Sequence, residues 1–248
     1  MKNAMLSSMQ QVSWIRAIAG VFAIIVVIIF ASTDSLIQVY REQRIPEYGY
    51  HTNLILAALE SDATLSFLPI VAVLPFSAVY IDDVKSKFAR FFLVRTNYTS
   101  YIVSRVLVCF FSGGIVIVSG TLLTWILFAI LLPMKEIAEG SAESTNLLLI
   151  NCLLLLLNGG LWAVIGMSMS TLMESKYISY ATPFVFYYLL VILYERYFPG
   201  LFIIYPKMWT SPSAWPFGCL GAVCFLMEIT LLFVLLFAFR AERRLRQL

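Results

Sequence analysis

Three groups of side chains have the types and spacing to do chemistry. The first is Glu228, a single carboxylate in the middle of the apolar run 217–239. An ionised carboxylate in hydrocarbon costs roughly 2.5–3.5 kcal/mol or more, so such acids are paired, protonated or used in transport. Gly218, Gly221 and Cys224 lie on or near its helical face, while Leu226, Phe233 and Phe237 fall elsewhere around the helix. A face of small residues packs on protein, and Glu228 is therefore expected to be shielded from lipid. A structural hydrogen bond and a transport role are both open to it. The second group is Asn151 and Asn158, seven residues apart on one helical face and followed by Gly159 and Gly160. Amides in an apolar helix hydrogen-bond across to a neighbouring helix; a substrate contact is the alternative.

The third group is the long charged interruption Asp82–Arg105, with the cations Lys85, Lys87, Arg90, Arg95 and Arg105. Val84, Phe88 and Phe91 recur at spacings of four and three, while Lys87 and Arg90 fall elsewhere around the wheel. Asp82 and Asp83 sit where a helix start favours an acidic cap, and Thr96-Asn97 supplies a stop. The pattern predicts a short amphipathic helix on the membrane surface, with aromatics in the lipid boundary and cations toward water and anionic headgroups. The alternative is a basic loop that only orients the protein.

Other chemistries lack their residues. There is no GxxxxGK[ST] loop, so the chain has no Walker cradle of its own for ATP. The single His51 can build neither a Ser-His pair within the spans nor a His-rich zinc site. Cys109, Cys152, Cys219 and Cys224 show no metal spacing and read as small apolar residues. Neither an enzyme nor a metal or cofactor site is expected in this chain.

The elements that must position these groups are membrane helices. With 61% hydrophobic and 12% charged residues in 248, the chain carries about half the charge of a soluble domain. A span needs about 20 apolar residues, and six candidates occur at roughly 15–31, 64–81, 102–132, 147–171, 177–195 and 217–239. They leave no room for a separate globular unit, so residues 1–248 read as one all-α membrane domain. The first span is expected to be retained rather than cleaved as a signal peptide. If the N-terminus is cytoplasmic, the inner segments hold twelve basic and four acidic residues, and the outer segments hold five basic and nine acidic. Six spans with both termini inside obey the positive-inside rule. The Arg-rich tail is read as part of that asymmetry and not as a nucleic-acid surface.

Finer signals follow along the chain. Met5, Met9 and Val12 share a face before Trp14, which suggests a second surface helix or, failing that, a disordered start. Asn53–Glu60 has helical spacing within the long outer segment 32–63. Pro69 and Pro75 bend the second span, while Gly113, Gly114 and Gly120 let another backbone approach the third. Residues 170–176 form a tight inner turn. Residues 196–216, with four prolines, Trp209 and Trp215, form a broken aromatic outer segment, partly re-entrant in expectation.

This pattern resembles the permease subunits of ABC-2 type transporters. Two stretches carry the similarity. In the first, Leu74-Pro75-Phe76 leads to Asp82 or Asp83, then Phe91-Phe92-Leu93, Arg95, Tyr101 and Arg105, in the family's order. In the second, Ser170-Thr171-Leu172, Lys176, Tyr177 and Pro183-Phe184 look like the family's link between spans four and five. Asp replaces the usual Glu, and the small Gly of the first helix is lacking. The resemblance implies a half-transporter in the bacterial cytoplasmic membrane that exports a peptide, drug, lipid or glycan. Its partners would be two ATPase subunits carrying ATP and Mg, a second permease (identical or a sister), and membrane lipid. Asp82, Asp83, Lys87, Phe88, Arg90, Phe91 and Arg95 would then form a coupling helix seated in the ATPase. The competing readings are a non-transporting scaffold or assembly subunit and, third, a secondary transporter driven by protonation of Glu228, against which the lack of an internal repeat counts.

Overall fold

Backbone inside a bilayer satisfies its hydrogen bonds only as helix or closed barrel. The computed structural model describes residues 2–42, 50–89, 97–132 and 141–245, and none of them is in a strand. The order is α1 Lys2–Gln10, α2 Trp14–Ala31, α3 Thr33–Glu42, α4 Tyr50–Leu59, α5 Asp62–Val73 and α6 Val79–Lys85. There follow α7 Tyr98–Leu131, α8 Ser141–Met173, α9 Lys176–Ile192 and α10 Cys219–Leu245. Five helices are long and apolar enough to cross a membrane, and six segments are if the bent pair α4–α5 is counted as one span.

The expected continuous helix over 64–81 is not present. Helix α5 ends at Val73, residues 74–78 form turns, and α6 starts at Val79. Pro75 explains the break, because it lacks an N–H and its ring clashes with the carbonyl one turn earlier. Pro69, by contrast, is accommodated inside α5. At its other end α5 meets α4 at 71°, and Ser61 caps the new helix by accepting from the Thr64 N–H at 3.3 Å. The helix expected at 53–60 is α4, and the helix expected near the N-terminus is α1.

Helix α8 is the centre of the bundle. Its apolar window is 72% buried, against 22–39% for the other four long helices. It packs on α5, α7, α9 and α10. The closest crossing is with α7, where a Cβ on Gly114 would lie 2.4 Å from the Leu156 carbonyl oxygen. The backbones approach there only because Gly114 has no side chain.

After α9 the chain winds through Leu193–Tyr197 and three short turns before α10, so the expected break-up of 196–216 is observed. Trp209 stacks on Trp162 of α8 with ring centroids 5.7 Å apart. The Trp209 and Trp215 indoles donate to the carbonyls of Ile203 and Met208 at 2.9 and 2.7 Å. Lys207 bonds Asp62 at 2.6 Å, which ties this cap to the start of α5.

Candidate functional site

Helix α6 buries Val79, Tyr80, Ile81, Asp83 and Val84 and leaves Asp82 and Lys85 exposed. Asp83 is therefore turned inward with the apolar residues while Asp82 is exposed. The two acids lie inside α6 and do not cap its start, where Ala78 is the cap residue. The helix stops at Ser86, and Lys87 has a left-handed backbone with φ +62°. Such a residue ends a helix, usually as glycine, and costs a lysine about 1–2 kcal/mol. The amphipathic helix expected through Asp82–Arg95 is thus interrupted, with Val84 and Phe88 on opposite sides of the break. Lys85, Ser86, Lys87 and Phe88 are exposed and Ala89 is buried. Arg90, Phe91 and Arg95 lie outside the described residues.

Asp83 is held from three directions. The Tyr101 hydroxyl donates to its Oδ2 at 2.8 Å, the Arg105 guanidinium donates to the same oxygen, and the Gln11 amide donates to Oδ1 at 3.3 Å. Tyr101 and Arg105 are one turn apart on α7, so both reach one carboxylate. Arg105 is fully buried, contrary to its expected place among the surface cations. Its guanidinium lies over the rings of Tyr101 and Phe76, 5.0 and 5.6 Å from their centroids. Ser8 donates to Ser104 at 3.2 Å beside this group. Burial pushes the Asp83 carboxyl above its ordinary value, while Arg105 and the Tyr101 and Gln11 hydrogen bonds pull it down.

The same end of the bundle gathers further polar contacts. Arg244 of α10 meets Glu174 in the α8–α9 turn at 3.2 Å. Lys176 stands 3.9 Å from Asp82 with both side chains about half exposed, and such a pair contributes little. Arg16 of α2 donates to the Tyr180 hydroxyl. Both described ends of the chain lie here, since Gln11 reaches Asp83 and Arg244 reaches Glu174.

The intramembrane polar residues are placed differently from expectation. Asn151 donates back to the Leu147 carbonyl of its own helix at 3.1 Å and bridges no helices through that bond. Asn158 is buried, and its Oδ1 has no partner among the described residues. Glu228 is exposed, as is Cys224. Helix α10 buries Ala222, Leu226, Thr230, Phe233, Phe237, Ala241 and Leu245 instead, small and bulky residues alike, while Gly218 and Gly221 are half-buried. Within this chain, then, no packed helix face covers Glu228. The three polar residues do not form one site.

An apolar cavity of about 340 Å³ opens between α1, α2 and α7. Met5, Met9, Trp14, Leu107 and Phe111 line it, with Ser112 as a polar neighbour. The residue sequence reasoning missed is Gln11, because nothing local distinguishes it from a solvated glutamine. Tyr101 and Arg105 were legible only as motif positions.

Comparison of the chain with protein-family models, with curated proteins and with solved structures returns no match.

Proposed function

We propose that this multi-pass membrane protein is the permease subunit of an ATP-binding cassette exporter, with a peptide, drug, lipid or glycan as cargo and ATP hydrolysed on a separate subunit. The observation that carries the reading is the three-way grip on Asp83. It clamps α6, and with it the exposed turn Lys85–Phe88, to the start of the 34-residue helix α7. A displacement of that turn by a partner then reaches α7 directly and α1 through Gln11. An ordinary basic loop would need no such anchor, whereas a coupling element does. Tyr101 and Arg105, with Asp82 or Asp83, are also among the positions at which the sequence resembles the ABC-2 permease order. Lys87 and Phe88 are the exposed residues a partner would meet in this reading, and Arg90 and Phe91 are assigned to the same set by sequence alone. The aromatics dominate it, since desolvated aromatic contacts carry most interface energy.

The test is co-purification of an ATPase subunit co-expressed with this chain, together with its hydrolysis rate in lipid. Phe88→Ala with Phe91→Ala should weaken association or uncouple hydrolysis from transport, more severely than Lys87→Glu with Arg90→Glu. If both double variants bind and couple normally, the coupling reading fails. A loss of affinity for anionic vesicles alone, at about 1 kcal/mol per cation removed, would mark a lipid anchor instead.

A further inference from the structure

The apolar cavity between α1, α2 and α7 borders the Asp83 end of the bundle. Its lining runs along α7 from Leu107 to Val116, about 14 Å of helix. That is about half of a hydrocarbon layer about 30 Å thick, the depth of one leaflet. Its polar end is fixed by the contact of Ser8 with Ser104, which stands one turn before Val108 on α7. The cavity therefore begins where the polar cluster ends. Trp14, Phe111 and Ile115 line it and are also exposed, so on a membrane-spanning chain its mouth opens to lipid.

The lining indicates the occupant. Apart from the Trp14 indole, its one polar side chain is Ser112, whose hydroxyl already donates to the Cys109 carbonyl at 3.1 Å. A buried water needs several polar partners, and a charged or sugar-like ligand needs more, so neither is held here. Left empty, the walls would forfeit their dispersion contacts on one side. A cavity of about 340 Å³ that opens to the bilayer fills instead with hydrocarbon. Met5 and Met9 suit a chain that arrives in many conformers, because an unbranched thioether re-packs readily.

We propose that the cavity binds one acyl chain of a phospholipid from the leaflet on the Asp83 side, and that this chain holds α1 on α7. Helix α1 has nine residues, too few to stand alone. On its polar side Ser8 and Gln11 fasten to Ser104 and Asp83, and the Ser13 N–H donates to the Pro75 carbonyl at 3.3 Å. On its apolar side Met5 and Met9 face the cavity, where the acyl chain supplies the packing that protein does not. Withdrawal of the chain unpacks both methionines and loosens Gln11 from Asp83. The bound lipid is thus a structural ligand and not a cargo. The inference does not rest on the transporter reading, because it requires only that the protein sits in a bilayer.

The experiment uses the full chain, with no ATPase present, in phosphatidylcholine bilayers doped with a phosphatidylcholine that carries a diazirine midway along one acyl chain. After illumination, label should appear on Val108 and Val116, which are buried and so are reached only from within the cavity. Ala17→Phe, and from the facing wall Ser112→Phe, fill the space. Either should abolish label at Val108 and Val116 and leave label at the exposed Leu231 of α10 unchanged. In a second measurement the parent is stripped of lipid in a rigid, sterol-based detergent. Amide exchange across Lys2–Gln10 should rise on stripping, fall again when phosphatidylcholine is returned, and stay level in either filled variant. No label at Val108 and Val116 of the parent, persistence of that label in both filled variants, or equal exchange of α1 in the parent with and without lipid would each overturn the proposal. Label from a free diazirine fatty acid with none from the phospholipid would overturn it as well. The two parent measurements decide by themselves should a filled variant not fold.

Discussion

Removing the carboxylate of Asp83 would leave the Arg105 guanidinium buried without the counter-charge it now pairs with. Breaking one side of such a pair costs about 3–5 kcal/mol. Asp83→Ala should therefore lower stability in detergent by that amount, whereas Asp83→Leu with Arg105→Met should lose much less. Reversible unfolding of the four-member double-mutant cycle measures the difference. The pH dependence follows from the raised carboxyl. A group that holds its proton more tightly folded than unfolded loses stability as pH rises from the ordinary carboxylate range to its raised value, and is level beyond it. Asp83→Asn should flatten that slope.

At the scale of elements, α7 and α8 are held by contact between backbones and not by interdigitating bulk. A methyl group on Gly114 meets the Leu156 carbonyl at 2.4 Å, while one on Gly200 in the segment between α9 and α10 meets nothing within 4 Å. Overpacking at a rigid contact costs about 1–3 kcal/mol. Gly114→Ala should thus lower the thermal midpoint in detergent clearly, and Gly200→Ala should leave it unchanged. Helix α6 behaves differently. Its seven residues are too few to stand alone, so its place depends on Tyr80, Val84 and the Asp83 clamp.

At the scale of the whole molecule, the ion pairs sort by end: Asp83, Glu174, Arg105 and Arg244 at one, Asp62 and Lys207 at the other. The first set belongs to the segments rich in Lys and Arg, which the positive-inside rule assigns to the cytoplasm. On a cysteine-free background, Glu195→Cys should react with an impermeant thiol reagent in intact cells, and Lys87→Cys should react only after permeabilisation. The reverse pattern would invert the topology.

The sequence by itself determined the helical class and the extent of most spans, because apolar runs of this length have no other way to satisfy their backbone. It also marked the close contact at Gly113-Gly114 and the broken aromatic cap. Tertiary structure alone decided which way each polar group turns. The side of α10 that holds Leu226, Phe233 and Phe237 turns inward, with Phe233 against Phe186 of α9 and Phe237 against Tyr80 of α6, and this leaves Glu228 outside. Likewise, Asp82 and Asp83 are equivalent as sequence. Only the contact of α6 with Tyr101, Arg105 and Gln11, separated from it by 18 to 72 positions, makes one of them a surface charge and the other the anchor of a turn.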